Sequence, residues 1–215
     1  MHLTQRSAAP KEVFMSENNP ILQVKDLTVS FNAFAGKVQA VRGVSFDLNK
    51  GETLCIVGES GSGKSVTNKA IMGILSKNAV IDRGEILYDG MDLTKLTEEQ
   101  FCQIRGKRIA MVFQDPLSAL NPIMKVGKQI TETLCVHQKL SHEQAKKRAL
   151  ELMAAVGIPE PEKRFNQYPF QFSGGMRQRI VIVIALACNP EILICDEPTT
   201  ALDVTIPVSY THLRA

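Results

Sequence analysis

Apolar and polar residues alternate along the first part of the chain in a pattern that predicts β-strands. Residues 21–32 (ILQVKDLTVSFN) and 41–49 (VRGVSFDLN) alternate with a period of two, which is typical of strands exposed on one face. Gly36 lies between them and indicates a turn, so we expect an antiparallel pair. A third strand is predicted over residues 84–89, closed by an Asp-Gly turn.

Three short apolar runs predict strands of a different kind. They are residues 53–57 (TLCIV), 108–113 (RIAMVF) and 191–195 (EILIC). Continuous apolar runs of this length are typical of strands that are covered on both faces, as in an open parallel sheet. In such a sheet, ligands bind outside the carboxyl ends of the strands.

Other segments of the chain have the residue spacing that is typical of helices. Thr97 and Ser141 each precede a glutamine by three residues, which is the spacing of a capping box at the start of a helix. Another helix is predicted over residues 125–137. We therefore expect an α/β framework that carries a helical insertion at about residues 117–172.

One segment leaves a choice between helix and strand. Residues 180–187 are rich in β-branched side chains, so their propensity favours a strand. The preceding residues 171–179 (QFSGGMRQR) contain a glycine pair, and a helix could begin there after a turn. The pattern itself does not decide between these alternatives.

The stretch GESGSGKS, residues 58–65, matches the phosphate-loop pattern at every fixed position. Its three glycines free the backbone to bend, so that successive N–H groups can point at phosphate oxygens. The alternative is a glycine-rich surface turn. The apolar run 53–57 before the stretch and the helix predicted over residues 66–75 after it favour phosphate binding.

Side chains of the loop and of the last predicted strand supply the matching chemistry. Lys64 adds a positive charge, and Ser65 offers a hydroxyl to Mg²⁺. At the end of the strand 191–195, Asp196 can hold Mg²⁺ through water, and Glu197 can polarise the water that attacks a γ-phosphate. In isolation these two acids would be interpreted as a capping pair. Because the chain also contains a phosphate loop, we favour the interpretation that they act on Mg²⁺ and water.

Composition narrows the class of protein. The chain has 215 residues, of which 44% are hydrophobic, enough for one large domain with a core. The net charge of +3 is spread along the chain without a basic block, so nothing indicates a nucleic-acid partner. Five scattered cysteines in mostly apolar surroundings predict reduced core thiols rather than disulfides or a metal site. The longest apolar run is too short to span a membrane, and no signal peptide is indicated.

Together these motifs resemble the ATP-binding subunit of an ABC transporter over about residues 21–206. The resemblance rests on an ordered set of motifs, which are the phosphate loop, VFQDP around Gln114, the signature FSGGM at 172–176, ICDE at 194–197 and ALD at 201–203. The segments FQDPLSALNP and DEPTTALDVT are similar to the corresponding sequences of the oligopeptide and dipeptide importer branch. Nickel and glutathione importers have similar ATPases.

The resemblance implies an ABC ATPase fold, with a P-loop NTPase core, an N-terminal antiparallel β subdomain and the helical insertion. It also favours a buried helix over residues 180–187. Phe31, by itself an ordinary core aromatic, would stack on adenine. The residues expected to contact ATP are Phe31, Gly58, Glu59, Ser60, Gly61, Ser62, Gly63, Lys64, Ser65, Val66, Ser173, Gly174, Gly175 and Asp203. The expected catalytic residues are Glu197, Lys64 and Gln114, and the expected Mg²⁺ ligands are Ser65, Gln114 and Asp196.

The resemblance also implies partners and a location. A second ATPase subunit, either a copy or a paralogue, would complete each ATP site, because the signature of one chain would bind the γ-phosphate held by the other. Two integral membrane permease subunits would receive the motion, and an extracytoplasmic peptide-binding protein would act indirectly. The chain would lie at the cytoplasmic face of the cell membrane as a peripheral subunit.

The sequence departs from the family in a few places. Met176 replaces the commoner glutamine of the signature, and Phe170 lies where relatives often have histidine. Relatives continue after LDVT into a helix, further strands and a switch histidine, so we expect a C-terminal truncation with a non-native tail at residues 207–215. Residues 1–20 are expected to be a disordered or non-native extension.

Several functions compete. The first is an ATPase that energises import of oligopeptides or dipeptides. A nucleotide-binding but hydrolysis-deficient fragment is the alternative that the chain's ending suggests. Soluble ABC ATPases of DNA repair or translation usually carry coiled-coil insertions or duplicated cassettes, which are not found in this sequence. A P-loop kinase would leave the SGGM and ALD motifs unexplained.

Overall fold

The computed structural model describes residues 20–34 and 36–197. Predictions about residues 1–19, about Asp203 and about the tail at 207–215 lie outside this part of the chain. Within it, no helix is long and apolar enough to cross a membrane.

The N-terminal half forms a four-stranded antiparallel sheet with the order β2-β1-β3-β4. Its strands are β1 (Leu22–Ala33), β2 (Gly36–Leu48), β3 (Ala79–Tyr88) and β4 (Met91–Asp92). The predicted antiparallel pair is confirmed, although β2 and β3 begin five residues before the predicted positions 41 and 84. Asp89 and Gly90 form the turn to β4 with positive φ angles of 47° and 78°.

Two short strands pair in parallel, as predicted. They are β5 (Ile109–Val112) and β6 (Ile192–Cys195), aligned so that Ile109 lies opposite Ile192. Alternate residues of β5 belong to two different apolar clusters, Ala110 and Val112 to one and Ile109 and Met111 to the other. The pair therefore lies between two packed layers, as expected for a parallel sheet that is covered on both faces.

The predicted strand over residues 53–57 is wrong. These residues belong to no strand and are exposed, with Val57 84% accessible. An extended segment becomes a sheet strand only when a neighbouring strand satisfies its N–H and C=O groups. Within the described ranges no strand lies beside this segment, so its apolar sequence is not sufficient to place it in a sheet.

Helices occupy the rest of the described chain. They are α1 (Lys64–Ile71), α2 (Glu98–Ile104), α3 (Pro116–Ala119), α4 (Val126–Gln138), α5 (His142–Ala155), α6 (Pro161–Phe165) and α7 (Gly174–Leu186), with short 3₁₀ turns at Leu93–Lys95 and Pro169–Gln171. The capping boxes at Thr97 and Ser141 are confirmed. Helix α1 begins earlier than predicted. It also ends earlier, because Gly73 at φ 62° stops it.

Helix α7 resolves the choice between helix and strand in favour of the helix that the family resemblance implies. Its β-branched residues Ile180, Val181, Ile182 and Val183 are all at most 5% exposed. A helix that is apolar on all sides is stable when it is buried on all sides, so packing overrides propensity here. Helix α7 packs with α4, α5 and β5 in one core cluster, while the antiparallel sheet packs with α1 and α2 in the other.

The expectation that most cysteines are core thiols is wrong. Cys55, Cys102 and Cys195 are exposed, Cys135 is half-buried, and Cys188 is buried. Cys55 is exposed because residues 53–57 lie at the surface rather than within a sheet.

Candidate nucleotide site

The phosphate loop adopts a conformation that requires its glycines. Gly61 and Gly63 have φ angles of 81° and 95°, which side chains other than hydrogen rarely permit. A Cβ on Gly58 would lie 2.7 Å from Ser62 Oγ, and one on Gly63 would lie 2.6 Å from the carbonyl oxygen of Ala40. Backbone conformation therefore explains the glycine at Gly61, conformation and backbone contact together explain Gly63, and the Ser62 hydroxyl near Gly58 can rotate away.

Lys64 stabilises the loop from within. Its Nζ donates hydrogen bonds to the carbonyl oxygens of Gly58 at 2.6 Å and Glu59 at 2.9 Å. Lys64 is also the first residue of α1, and the preceding Gly63 provides no side-chain cap. The N–H groups of the first helical turn thus face the loop, where an anion would complement both them and the ammonium group.

The other loop residues are distributed around this turn. Glu59, Ser60, Gly61 and Ser62 are exposed, and Ser62 N–H donates to the Glu59 carbonyl at 3.2 Å. Val66 is half-buried and packs its side chain against the apolar cluster of the antiparallel sheet. Any contact of Val66 with a phosphate would therefore use its backbone.

Asp196 lies beside the loop at the carboxyl end of β6. Its carboxylate accepts a hydrogen bond from Ser65 Oγ at 3.0 Å, although 131 positions separate the two residues. The backbone N–H of Asp196 donates to the Val112 carbonyl at 3.0 Å, which continues the β5–β6 pairing beyond β6. Asp196 is 8% exposed, so its charge is held in a largely desolvated position.

Glu197 and Gln114 meet at the same edge. Each lies two positions after the end of its strand, and Gln114 Nε2 donates to Glu197 Oε2 at 2.6 Å. Glu197 has a φ of 48°, a left-handed conformation that few non-glycine residues adopt. Desolvation by the surrounding protein atoms raises the pKa of the neighbouring Cys195 thiol, although the residue as a whole is exposed.

Phe31 is linked to the loop only indirectly, through the pairing of β1 with β2. It is half-buried on β1 and pairs with Val38 of β2, two positions before Ala40. The Ala40 carbonyl is the atom that lies against Gly63. The sequence did not indicate Ala40, since a backbone carbonyl leaves no signature in the residue type.

The signature residues form a separate helix start. Ser173 is the N-cap of α7, and its Oγ accepts a hydrogen bond from Met176 N–H at 3.3 Å. Gly174 is exposed, and Gly175 is half-buried. The described residues that line the cavity beside Lys64, Asp196 and Glu197 include none from the signature. The structure thus brings the phosphate loop, Gln114, Asp196 and Glu197 together, but not Ser173 to Gly175.

Known proteins resemble this chain in sequence. The family model described as ABC transporter matches residues 41–200. The chain is 61% identical over 194 residues to the oligopeptide transport ATP-binding protein of Bacillus subtilis, with 90% of this chain and 54% of that protein covered. It is 59% identical over 196 residues to the dipeptide transport ATP-binding protein of Lactococcus lactis, with 91% and 56% covered. The chain therefore spans little more than half the length of these curated relatives.

A solved structure agrees with the fold. A dimeric ATP-binding cassette in a post-hydrolysis state, bound to ADP and phosphate, superposes with a TM-score of 0.77 and 31% sequence identity. The comparison covers 85% of this chain and 76% of that one. Since the family model also covers more than half of the 215 residues, the chain belongs to the ABC transporter family and has the α/β fold of its ATP-binding cassettes.

Proposed function

We propose that this chain is an ATP-binding and ATP-hydrolysing subunit that energises the import of oligopeptides or dipeptides through an ABC transporter. One observation carries the proposal. Ser65 bonds to Asp196 at 3.0 Å and Gln114 bonds to Glu197 at 2.6 Å, so the phosphate loop and both acids lie at one edge of the parallel pair. The names of the two bacterial relatives support peptides as the cargo.

The oxygen donors at this edge fit Mg²⁺. The Ser65 hydroxyl, the Asp196 carboxylate and the Gln114 amide oxygen are hard ligands, and Mg²⁺ is usually held by one or two carboxylates together with substrate phosphates. The described residues contain no group of three or more His, Cys, Asp or Glu side chains that could hold a metal, so substrate oxygens would complete the coordination. When bound, Mg²⁺ would neutralise charge on the β- and γ-phosphates.

The chain's own residues have separate tasks in this mechanism. Lys64 and the N–H groups of the loop bind the phosphates and stabilise the charge on the transferred group. Glu197 accepts a hydrogen bond from the attacking water and orients it in line with the γ-phosphate, while Gln114 holds the Glu197 carboxylate. Phe31 stacks on the adenine.

A second ATPase subunit completes the site in this proposal. Ser173, Gly174 and Gly175 lie at an exposed helix start away from the phosphate loop, which suits a role toward the ATP held by a partner chain. The assembly would act as a peripheral unit at the cytoplasmic face of the membrane, docked on two permease subunits. Asp203 lies outside the described residues, and its place at the dimer interface stays a prediction.

The test is the variant Glu197→Gln, introduced into a strain that lacks this subunit. We expect at least about a 100-fold loss of ATP hydrolysis and no uptake of labelled peptide, because the water loses its base, while ATP affinity changes less than about twofold. Glu143→Gln, at an exposed position of α5, is the matched control and should keep both activities. Normal turnover in the Glu197 variant would remove this residue from its role, and uptake without any functional subunit would refute the transport function.

A further inference from the structure

A cavity lies between helices α4, α5 and α6, apart from the one beside Lys64, Asp196 and Glu197. It measures about 280 Å³. The described residues that line the two cavities have no member in common. The proposed nucleotide site therefore does not account for the cavity between these helices.

Three lysines line this cavity. Lys125 is the N-cap of α4, Lys128 lies three residues further along the same face, and Lys146 belongs to α5. No acidic side chain is among the described residues that line it. In the part of the chain that the structure describes, none of the three lysines forms an ion pair. The cavity thus concentrates positive charge that no neighbouring carboxylate neutralises.

Two uncharged polar side chains add hydrogen-bonding capacity. His142 lies four residues before Lys146, which places both on one face of α5, and Asn166 follows α6. The Asn166 amide carries two donor hydrogens, and a neutral imidazole carries one. Together with the ammonium groups, these side chains suit a ligand that offers several acceptor oxygens.

The floor of the cavity is fixed by packing. A Cβ on Gly127 would lie 2.4 Å from the Phe165 ring, so the ring rests directly on the backbone of α4. Lys146 Nζ lies 5.9 Å from the centre of the same ring, within the range of a cation–π interaction. Val126 N–H donates to the Gln167 carbonyl at 2.9 Å. These contacts join α4, α5 and the α6 region without any ligand, so the cavity is formed in advance.

We propose that this cavity binds the phosphate group of an anionic ligand. A phosphate monoester carries a charge of about −2 and three strong acceptor oxygens at neutral pH, which matches three converging ammonium groups. A single carboxylate carries only one negative charge and would leave most of the positive charge unbalanced. A soluble phosphorylated compound and a lipid headgroup present the same group, and the experiment distinguishes these two sources.

A bound phosphate would join two segments that flank the nucleotide site. Lys125 ends the stretch that follows Gln114, and Asn166 precedes the signature residue Ser173. A ligand held by Lys125 and Asn166 would therefore reinforce the backbone hydrogen bond between residues 126 and 167. Any effect on ATP turnover rests on the proposed function, whereas binding of the phosphate does not.

The first measurement is a titration of the chain with sodium phosphate, followed by ¹H–¹⁵N NMR at constant ionic strength. We expect saturable shifts of the amides of Lys128, Thr131 and Asn166. The amides of residues 58–65 report separately on phosphate at the loop, so failure of one site is distinguishable from failure of the other. Acetate at the same ionic strength is the control for general screening and should not saturate the cavity.

Matched variants locate the contact. Lys128→Gln and Lys146→Gln should each weaken phosphate binding at the cavity at least about tenfold, because each loses a charge-assisted hydrogen bond. Lys147→Gln is the control, since it removes the same charge from the next exposed residue of α5, which does not line the cavity. Its affinity should stay within about twofold of the wild type. All three positions are exposed, and far-UV circular dichroism verifies that the variants fold.

Sedimentation with phosphatidylcholine vesicles, with and without phosphatidic acid, tests the lipid source. Saturation by inorganic phosphate that depends on Lys146 supports the site with a soluble ligand. Binding only to vesicles that contain phosphatidic acid, lost in Lys146→Gln and kept in Lys147→Gln, supports it with a headgroup.

Three results would overturn the proposal. The first is that neither probe binds in a way that depends on Lys128 and Lys146. The second is an equal loss in Lys147→Gln, which would reduce the effect to general charge attraction. The third is saturation by acetate at the same concentrations, because the cavity would then not select phosphate.

Discussion

The two halves of the nucleotide site rest on unequal support. Asp196 and Glu197 follow β6, whose residues Ile192 and Ile194 are buried and whose backbone pairs with β5. The phosphate loop follows residues 53–57, which are exposed and belong to no strand. The loop still keeps its turn, because its glycine conformations and the Lys64 hydrogen bonds are local. A local motif can thus form without the sheet that normally positions such a loop.

The largest expected effect compares the stability that β6 and residues 53–57 each contribute. Ile192→Ala should lower the free energy of unfolding by about 2–5 kcal/mol, because it leaves a cavity in a packed strand. Ile56→Ala should cost about 1 kcal/mol or less, since this side chain is already 43% exposed. Urea denaturation of both variants measures the difference. Equal losses would mean that residues 53–57 are as well packed as β6.

A second prediction concerns the loop itself. Lys64→Ala should weaken ATP binding by about 10- to 100-fold, or about 1.4–2.7 kcal/mol, because the ammonium group that would meet the phosphates is lost. Lys69→Ala, at an exposed position in the last turn of α1, is the control and should bind normally. Titration with a fluorescent ATP analogue measures the affinity. Unchanged affinity in the Lys64 variant would contradict phosphate binding by this loop.

The smallest effect tests the link between the antiparallel sheet and β6. Tyr88 OH donates to Glu191 at 3.0 Å, and Glu191 also forms an ion pair with Arg108. Burial and the hydrogen bond to Glu191 raise the pKa of Tyr88 to about 12 from the usual 10. The folded state therefore binds the phenolic proton more tightly, and this contribution is fully present below pH 10 and lost as the pH rises toward 12.

Tyr88→Phe should remove both the hydrogen bond and this pH dependence. We expect it to lower stability by about 1 kcal/mol at pH 8, with the difference from the wild type narrowing above pH 10. Urea unfolding at pH 8 and at pH 11 gives the two values. If the difference in stability between the two proteins is the same at pH 8 and at pH 11, the pKa of Tyr88 does not change on folding.

The sequence predicted those elements whose cause is local or periodic. Capping boxes at Thr97 and Ser141 satisfy helix N–H groups within three residues, so their spacing alone located two helix starts. Tertiary packing and strand pairing determined the structure of two other segments. Residues 180–187 became a helix against their propensity because α4, α5 and β5 surround them, and residues 53–57 stayed outside any strand because no neighbour pairs with them.

For the site, the residues could be found from motifs and the contacts could not. The pattern of residues 58–65 and the acids at 196–197 indicated phosphate chemistry. The approach of Ala40 to Gly63, and the bond from Ser65 to Asp196 across 131 positions, depend on how the layers pack. Such distances are properties of the tertiary structure, which no spacing along the chain contains.

The backbone of Glu197 carries a cost that its position explains. A φ of 48° at a non-glycine residue costs about 1–2 kcal/mol, whereas glycine would adopt it freely. Glu197→Gly would relieve this backbone strain, although it would lose the hydrogen bond from Gln114, and under the proposed function it would remove the group that orients the attacking water. Under the proposed function, the glutamate at this position trades stability for turnover, so libraries screened only for thermal tolerance should discard it.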